Sequence, residues 1–160
     1  LPEEGDDYEA NAVAKARAIA EGAGRPALAD DSGIEVAALD GRPGPRSARF
    51  GGEHLDDAGR VEKLLQEIAA SGRTDRSARF VCLAALAFPD GEVITARGEC
   101  PGRILDAPRG GRGFGYDPIF EVEPGGRSMA ELSPTEKNRI SHRARALRSL
   151  RGIIQQRIAT

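Results

Sequence analysis

Apolar side chains recur at helical spacing in two stretches of the first half of the chain. Asp7 is a predicted N-cap for a helix over residues 8–21, where Gly22 and Gly24 would end it. Its apolar side consists of Val13, Ala16, Ile19 and Ala20. Asp56 is the predicted N-cap of a second helix, which extends to about residue 70. The buried stripe of that helix consists of Val61, Leu64, Leu65 and Ile68.

Two further helices are predicted near the C-terminus. Ser133-Pro134-Thr135-Glu136 is a capping box with proline at the first helical position, which favours a helix start. Ser141 is expected to begin a final helix. Its predicted buried stripe consists of Leu147, Leu150, Ile154 and Ile158.

The strand pattern centres on residues 77–88, which are almost continuously apolar and predict a strand covered on both faces. Pro89-Asp90-Gly91 is a turn signal, and residues 92–104 are the expected returning strand. Upstream, residues 26–30 and 34–39 are predicted as short strands separated by an acidic turn at Asp30-Asp31-Ser32-Gly33. The loop that follows, GRPGPRSARFGG, is predicted to be irregular. Hairpin pairing beside alternating helices and strands predicts an α/β fold with a mixed sheet.

Length and composition fit one globular domain over residues 1–160. The 160 residues are 39% hydrophobic and 30% charged, enough to bury a core without disulfides or structural metals. Basic residues number 23 and acidic residues 25, and they are interspersed, so we expect a solvated mixed surface and no nucleic-acid partner. No apolar run approaches the length of a membrane span, and the start, LPEEGDD, is unlike a signal peptide.

Cysteine usage agrees with a cytoplasmic protein. Cys82 and Cys100 are not in a metal-binding spacing, and we expect them to be reduced, buried thiols. The predicted hairpin would place them nearly opposite each other, which leaves a disulfide as the alternative.

The acidic segment Asp30-Asp31-Ser32-Gly33 is the first candidate site, together with Glu3-Glu4 near the start. Carboxylates at a strand end suit Mg²⁺, which prefers oxygen ligands, and they can orient a metal-bound water. Because a strand alternates its side chains, one of the two aspartates is expected to face a given cleft. The alternative is an ordinary Asx turn in which Gly33 adopts a positive φ.

A glycine-rich segment and a basic segment are the other candidates. In GFGYDP the glycines allow close backbone approach to a ligand, and Phe114 is placed to stack on a planar base. The alternative is a tight turn with Phe114 in the core. Lys137, His142 and Arg143 lie within seven residues and could bind a phosphate or the polar edge of a base; the alternative is a solvated helix face. Together, acidic ligands, a stacking aromatic and a basic cluster are the parts of a nucleotide phosphohydrolase.

These motifs resemble the inosine triphosphate pyrophosphatase family. The matching stretches include NAVAKARA, PALADDSGIEV, LDGRPGPRSARF, GFGYDPIF and EKNRISHR, in the family's order over about residues 1–150. The resemblance implies an elongated two-lobed α/β fold around a long mixed sheet, with flanking helices and an active cleft between the lobes. It also implies a homodimer and Mg²⁺-dependent hydrolysis of inosine, deoxyinosine and xanthosine triphosphates to the monophosphate and pyrophosphate, which cleans the nucleotide pool.

The resemblance also assigns roles by position. Asp31 matches the family's catalytic carboxylate, which acts as base and metal ligand. Glu3 matches the second metal ligand, although Glu4 is an alternative. It leaves open whether Asp30 binds metal too. The expected substrate-binding residues are Ser32, Phe114, Gly115, Tyr116, Asp117, Lys137, His142 and Arg143. Among these, Phe114 would stack on the purine, and His142 and Arg143 would read its 6-keto edge.

Two departures from the family pattern bear on activity. The family's opening strand and its phosphate-binding turn, T-G-N-x-x-K, have no match, so the domain is expected to be incomplete at its N-terminus. Ala10 stands where many bacterial members have glutamate. The alternative functions are therefore a non-catalytic nucleotide-binding fragment, or a related pyrophosphatase that acts on other altered nucleotides, including modified pyrimidines.

Overall fold

The computed structural model describes residues 5–122 and 126–159, which form an α/β domain. The helices are α1 (Tyr8–Ala23), α2 (Asp57–Ser71), α3 (Pro134–Ile140) and α4 (His142–Ile158). The strands are β1 (Ala27–Val36), β2 (Pro43–Gly44), β3 (Ser77–Ala87), β4 (Val93–Ile104) and β5 (Phe120–Val122). Within the described ranges, no helix combines the length and the apolar character that crossing a membrane requires.

The four predicted helix starts are confirmed, and each uses its predicted cap. The Asp7 carboxylate accepts hydrogen bonds from the backbone of Glu9 and Ala10, and α1 ends where Gly24 adopts a φ of 62°. Asp56 caps α2 in the same way. Ser133 and Ser141 accept hydrogen bonds at the starts of α3 and α4. These caps satisfy amide groups that a helix start would otherwise leave without partners.

The sheet has five strands in the order β2-β1-β3-β4-β5, and β3 lies at its centre as predicted. Every pairing between the named strands is antiparallel, so the mixed sheet expected from the sequence is not seen in the described residues. The physical reason lies in the long connection that contains α2. Val36 at the end of β1 pairs with Ala78 at the start of β3, so this connection leaves and re-enters the sheet at the same end.

The predicted acidic turn at residues 30–33 is wrong. These residues lie inside β1, which pairs with β3 without interruption from Ala27↔Ala87 to Val36↔Ala78. Gly33 serves close packing here and does not form a turn with positive φ. A Cβ on Gly33 would lie 2.1 Å from the carbonyl oxygen of Gly44 in β2. The second predicted strand, 34–39, is likewise corrected, because residues 37–39 form a 3₁₀ helix.

The segment predicted to be irregular, residues 41–52, contains short regular elements. These are β2 and a 3₁₀ turn at Ser47–Arg49. Ser47 anchors this segment to β1, because its hydroxyl accepts a hydrogen bond from the Ile34 amide at 2.9 Å.

The two faces of the sheet carry different helices. One face packs on α1, in a core cluster that joins alanines of α1 to Val81, Leu83 and Ala85 of β3. On the other face, Cys82 and Ala84 pack against α4, and the cluster around Phe80 packs against α2 and β5. The apolar pattern predicted most of the buried side chains of the helices correctly, but not all of them. Ile19, Leu147 and Ile158 are exposed although their spacing placed them on buried stripes.

The two cysteines are both free and buried. Cys82 lies opposite Gly98 and Cys100 opposite Phe80, so the hairpin register offsets the thiols by two residues. The disulfide considered as an alternative is therefore not formed. Burial raises the pKa of the Cys82 thiol to about 11, which keeps it protonated at neutral pH.

Candidate functional site

The neighbouring carboxylates Asp30 and Asp31 point to opposite faces of the sheet. Asp31 turns toward α1 and is 3% exposed. Its Oδ2 accepts a hydrogen bond from Asn11 Nδ2 at 2.9 Å, and its Oδ1 lies 3.9 Å from Lys15 Nζ. The alternation predicted for a strand thus gives each aspartate its own environment.

Asn11 links Asp31 to the first described residue of the chain. Its Oδ1 accepts a hydrogen bond from the Gly5 amide, and its Nδ2 donates to the Gly5 carbonyl, both at 3.1 Å. Glu3 and Glu4, one of which is the expected second metal ligand, lie outside the described residues. Asn11 therefore fixes the backbone beside them relative to Asp31.

The oxygen chemistry at Asp31 fits Mg²⁺ in kind. A buried carboxylate is the ligand type that this ion prefers. Among residues 5–122 and 126–159, however, no group of three or more His, Cys, Asp or Glu side chains is arranged to hold a metal. The described part of the chain therefore supplies Asp31 as the single expected metal ligand.

Asp30 faces α4 and is paired with Arg143. Arg143 Nε donates to Asp30 Oδ2 at 2.8 Å, and Ser32 Oγ donates to the same oxygen at 3.3 Å. Burial would raise the pKa of Asp30, but the hydrogen bond and charge of Arg143 outweigh it and lower that pKa overall. The Asp30 carboxylate therefore holds Arg143 in place beside the glycine-rich loop.

Phe114 projects into solvent from the glycine-rich loop, with 60% of its surface exposed. The structure thus contradicts the alternative in which this side chain fills the core. Lys137 Nζ lies 4.6 Å and Arg143 Cζ 5.9 Å from the centre of the ring. Two residues of the predicted basic cluster and the predicted stacking aromatic therefore lie together.

Side-chain hydrogen bonds connect the glycine-rich loop to the elements around it. Asp117 Oδ2 accepts from the Phe114 amide at 3.1 Å and from Lys137 Nζ at 2.6 Å. The Gly115 amide donates to Asp57 of α2 at 2.8 Å. The Tyr116 hydroxyl donates to the Ser47 carbonyl at 2.7 Å. Asp117 and Tyr116 therefore position the loop, and their contact with substrate stays a prediction.

His142 is 9% exposed and stacks on Phe80, with ring centres 4.8 Å apart. Burial lowers the pKa of its imidazole to about 4, and the charges of Arg143 and Lys137 add to this effect. The ring is therefore neutral at pH 7, and its buried Nδ1 has no hydrogen-bond partner among the described residues. A neutral imidazole has one donor and one acceptor nitrogen.

Two adjoining cavities gather the predicted residues. The smaller has a volume of about 200 Å³. Six of the residues that the sequence assigns to the site line this cavity: Ser32, Phe114, Gly115, Tyr116, Asp117 and His142. The larger, of about 760 Å³, includes Lys137, His142 and Arg143 in its lining. Both are lined by Phe114 and His142, so the aromatic loop and the basic cluster belong to one continuous region.

Asp31 lies on the other face of β1 from this region, next to an open strand edge. In the described ranges, β2 pairs with β1 only at Ile34 and Glu35. Residues 27–33 therefore have no partner strand on that side among the described residues.

Sequence reasoning gave no role to several residues that shape the site. Asn11 and Lys15 both contact Asp31 and lie four residues apart in α1. Two polar side chains four residues apart on an otherwise alanine-rich helix face could have indicated from the sequence that both contact a buried partner. Asp57 and Arg60 of α2, which line the smaller cavity, gave no such signal because polar residues are common in the first turns of helices.

An exposed aromatic side chain on a glycine-rich loop beside basic side chains offers groups that can stack on a base and bind a phosphate, as a nucleotide-binding protein requires. The sequence model of the Ham1 family matches residues 1–153, and the chain belongs to that family.

Similar proteins agree with this assignment. A dITP/XTP pyrophosphatase of Syntrophobacter fumaroxidans is 53% identical over 148 residues, which are 92% of this chain and 63% of that protein. A dITP/XTP pyrophosphatase of Bacillus licheniformis is 46% identical over 98% of this chain and 80% of its own length. The structure of a HAM1 protein from Coxiella burnetii superposes with a TM-score of 0.92 at 44% identity, covering 98% of this chain and 80% of that one. The resemblance seen in the sequence is confirmed.

The chain spans less than two thirds of the length of some of these relatives. It covers 63% of the Syntrophobacter protein and 66% of a relative from Desulfotalea psychrophila.

Proposed function

We propose that this protein hydrolyses altered purine nucleoside triphosphates to the monophosphate and pyrophosphate, with inosine, deoxyinosine and xanthosine triphosphates as substrates. The observation that carries this proposal is the cavity of about 200 Å³ lined by Phe114 and by the neutral His142. Its size suits a purine base. The names of the relatives, dITP/XTP pyrophosphatases, support the same substrates. The cellular role would be to clear these nucleotides from the pool.

Base binding is assigned to Phe114 and to the residues around it. The exposed ring would stack on the purine, and its loop is already fixed by Asp117, Asp57 and Ser47, so little order has to be gained on binding. Lys137, which lies between Asp117 and the ring, is a cation within reach of a phosphate or a base carbonyl. Gly115 and Ser32 complete the lining.

Selectivity is assigned to His142 and Arg143 at the 6-keto edge. Both side chains supply N–H donors, and hypoxanthine and xanthine present an acceptor oxygen there. Adenine presents an amino group at the same position, which would leave a buried donor unpaired at a cost of about 1–3 kcal/mol for each missing bond. The site would therefore disfavour ATP.

Asp31 is assigned as the catalytic base. Its carboxylate would accept the proton of the water that attacks the α-phosphate, and pyrophosphate would leave. Lys15, 3.9 Å from Asp31, places a positive charge on the face of the sheet where the phosphates would lie. Asp31, with Glu3 as its expected partner, would hold Mg²⁺, which when bound neutralises phosphate charge. We further propose that the protein acts as a cytoplasmic homodimer.

The test is pyrophosphate release from inosine, xanthosine, adenosine and guanosine triphosphates, each with and without Mg²⁺. We expect metal-dependent release that is faster from inosine and xanthosine triphosphates than from ATP. Appearance of the corresponding monophosphate identifies the bond that is cleaved. A rate for ATP equal to that for inosine triphosphate would contradict the proposed selectivity.

A binding protein without catalysis is the second candidate, and one observation favours it. Asp31, the carboxylate expected to bind the metal, is already hydrogen-bonded by Asn11 and lies 3.9 Å from Lys15. Tight binding of inosine monophosphate without any pyrophosphate release would support this candidate. Modified pyrimidine triphosphates in the same panel test for the third candidate, a pyrophosphatase with another base preference.

Phe114→Ala tests the stacking role. Loss of the ring should raise the Michaelis constant for inosine triphosphate about tenfold, because base stacking on an aromatic is worth about 1–3 kcal/mol. The fold should be unaffected, since Phe114 is exposed. An unchanged Michaelis constant would contradict the proposal that Phe114 stacks on the base.

A further inference from the structure

Asp30 joins the sheet to the first turn of α4 through a single carboxylate oxygen. Three side chains donate to its Oδ2: Ser32 Oγ at 3.3 Å, Cys82 Sγ at 3.5 Å and Arg143 Nε at 2.8 Å. Ser32 and Cys82 lie opposite each other in β1 and β3, and Cys82 is fully buried. Two strands of the sheet therefore fix the carboxylate, and the carboxylate in turn holds a side chain of the helix.

The bond from Asp30 restrains a side chain that packing alone leaves partly free. The Arg143 side chain is 46% exposed, and a long side chain that is ordered only when a ligand binds reduces the affinity for that ligand. A charge-assisted bond to Nε orders the guanidinium group before a ligand arrives. In this position Arg143 lines the larger cavity, and its Cζ lies 5.9 Å from the centre of the Phe114 ring.

The position of Asp30 suits this role better than metal binding beside Asp31. Consecutive side chains of a strand point to opposite faces, and Asp31 contacts Asn11 of α1 while Asp30 contacts Arg143 of α4. Asp30 itself does not belong to the described lining of either cavity. Its effect on a bound base would therefore pass through Arg143.

We propose that Asp30 is a positioning residue for base selectivity, which holds the guanidinium group of Arg143 where it meets the 6-keto oxygen of the base. This inference rests on the proposed function, in which Arg143 reads that edge. Adenine presents an amino group at the same position and gains nothing from a positioned donor. Loss of the Asp30 carboxylate should therefore weaken the binding of inosine monophosphate more than the binding of adenosine monophosphate.

Calorimetric titration with inosine and adenosine monophosphates measures this effect without turnover. Asp30→Ala removes the acceptor for Arg143, and Asp30→Asn keeps an acceptor oxygen but loses the charge. We expect inosine monophosphate to bind about fivefold more weakly to Asp30→Ala and about threefold more weakly to Asp30→Asn, because Arg143 then has to be ordered on binding. The affinity for adenosine monophosphate should change by less than about twofold. Asp40→Asn is the matched control, because the exposed Asp40 pairs with Arg73 at 2.6 Å and neither residue lines the cavities; it should leave both affinities unchanged.

Arg143→Gln separates positioning from a general structural role. If Asp30 acts through Arg143, adding Asp30→Ala to Arg143→Gln should weaken the binding of inosine monophosphate by less than about a further twofold. Effects that multiply in the double variant would overturn the inference, and so would an equal loss for both nucleotides in Asp30→Ala. The titrations are run with and without Mg²⁺, and a loss confined to the series with Mg²⁺ would make Asp30 a metal ligand and overturn the inference.

Failure of this inference can be told apart from failure of the proposed function. If the unmodified protein prefers inosine monophosphate and the Asp30 variants keep both affinities, the inference fails and the proposed function stands. If the unmodified protein binds neither nucleotide, or binds both equally, the proposed selectivity fails and the inference fails with it. Thermal unfolding shows whether each variant is folded, and Asp30→Asn alone decides the comparison if Asp30→Ala does not fold.

Discussion

Gly33 has a packing role that only the structure reveals. It lies in β1, and the space where a side chain would begin is occupied by the carbonyl oxygen of Gly44, 2.1 Å from an ideal Cβ, and by Ser47 Oγ, at 2.9 Å. Ser47 in turn accepts a hydrogen bond from the Ile34 amide and donates to the Gly44 carbonyl. Gly33 therefore allows β2 and the following loop to lie against β1.

Gly33→Ala should destabilise the protein by about 1–3 kcal/mol, because backbone atoms have to move to admit the methyl group. Equilibrium unfolding in urea measures this change. Gly22→Ala is the matched control, since Gly22 lies in α1 and an added Cβ would meet nothing within 4 Å. That variant should be neutral or up to about 1 kcal/mol more stable. Equal stability of the two variants would contradict the packing role of Gly33.

His142 should make the stability of the protein depend on pH. Burial lowers the pKa of its imidazole in the folded state to about 4, compared with 6.5 for the free side chain. Between these values the unfolded chain binds a proton that the folded protein does not bind. The free energy of unfolding should therefore fall as the pH is lowered from 6.5 to 4, by at most about 3 kcal/mol from this group.

Urea unfolding at several pH values measures this dependence. In His142→Gln, the free energy of unfolding should depend less on pH between pH 6.5 and 4, because the contribution of His142 is lost. His54, the other histidine of the chain, is exposed and provides the control His54→Gln, which should keep the slope. An unchanged slope in His142→Gln would contradict the neutral, buried state of this imidazole.

At the residue scale, sequence alone located the groups that line the cavities but not their partners. The aromatic loop and the basic cluster were predicted from residue types, and the structure places Phe114, Lys137 and Arg143 together. The Asp30–Arg143 pair joins residues 113 positions apart, and no local pattern carries that information. Asn11 was missed for the same reason, because its role depends on a contact between elements.

At the scale of elements, the position of α4 depends on Gly98 in β4. A Cβ on Gly98 would lie 2.2 Å from the His142 carbonyl oxygen and 2.3 Å from the Ala146 amide nitrogen. The first turns of α4 therefore pack directly on the strand backbone. His142 and Arg143 are the first residues of this helix. Because Gly98 has no side chain, both can lie close to the sheet at the site.

Gly98→Ala should push α4 away from the sheet. We expect a stability loss of about 1–3 kcal/mol and weaker binding of inosine monophosphate, because His142 and Arg143 move with the helix. Unfolding and calorimetric titration measure the two effects. Gly152→Ala, in the same helix with nothing within 4 Å of an added Cβ, should be neutral or stabilising and should leave binding unchanged. Full nucleotide affinity in Gly98→Ala would contradict this role of the strand.

The elements that sequence predicted well are those with strong local signals. Caps and apolar periodicity gave the helix starts and the hairpin of β3 and β4 close to their observed bounds. Residues 30–33 were mistaken for a turn because two aspartates, a serine and a glycine usually disfavour strands. Pairing with β3 overrides that preference, since the ladder satisfies the backbone and each aspartate finds a cation or an amide.

At the scale of the whole molecule, the antiparallel sheet separates two kinds of chemistry. The face toward α4 carries the cavities and the basic groups near Phe114. The face toward α1 carries Asp31 with Asn11 and Lys15. Strand β1 contributes to both faces through consecutive residues. In our proposal the base of the nucleotide binds on the first face, and its phosphates lie near Asp31 on the second.

We propose that Asp31 performs the chemistry while the cavity on the opposite face of the sheet binds the base. The most direct test compares pyrophosphate release from inosine triphosphate with binding of inosine monophosphate, for the unmodified protein and for Asp31→Asn. This substitution keeps the size of the side chain but removes its charge. We expect the turnover rate of Asp31→Asn with inosine triphosphate to fall at least about a thousandfold. Its affinity for inosine monophosphate should stay within about threefold of that of the unmodified protein. Near-normal turnover in Asp31→Asn would contradict the claim, and so would loss of monophosphate binding in a folded variant.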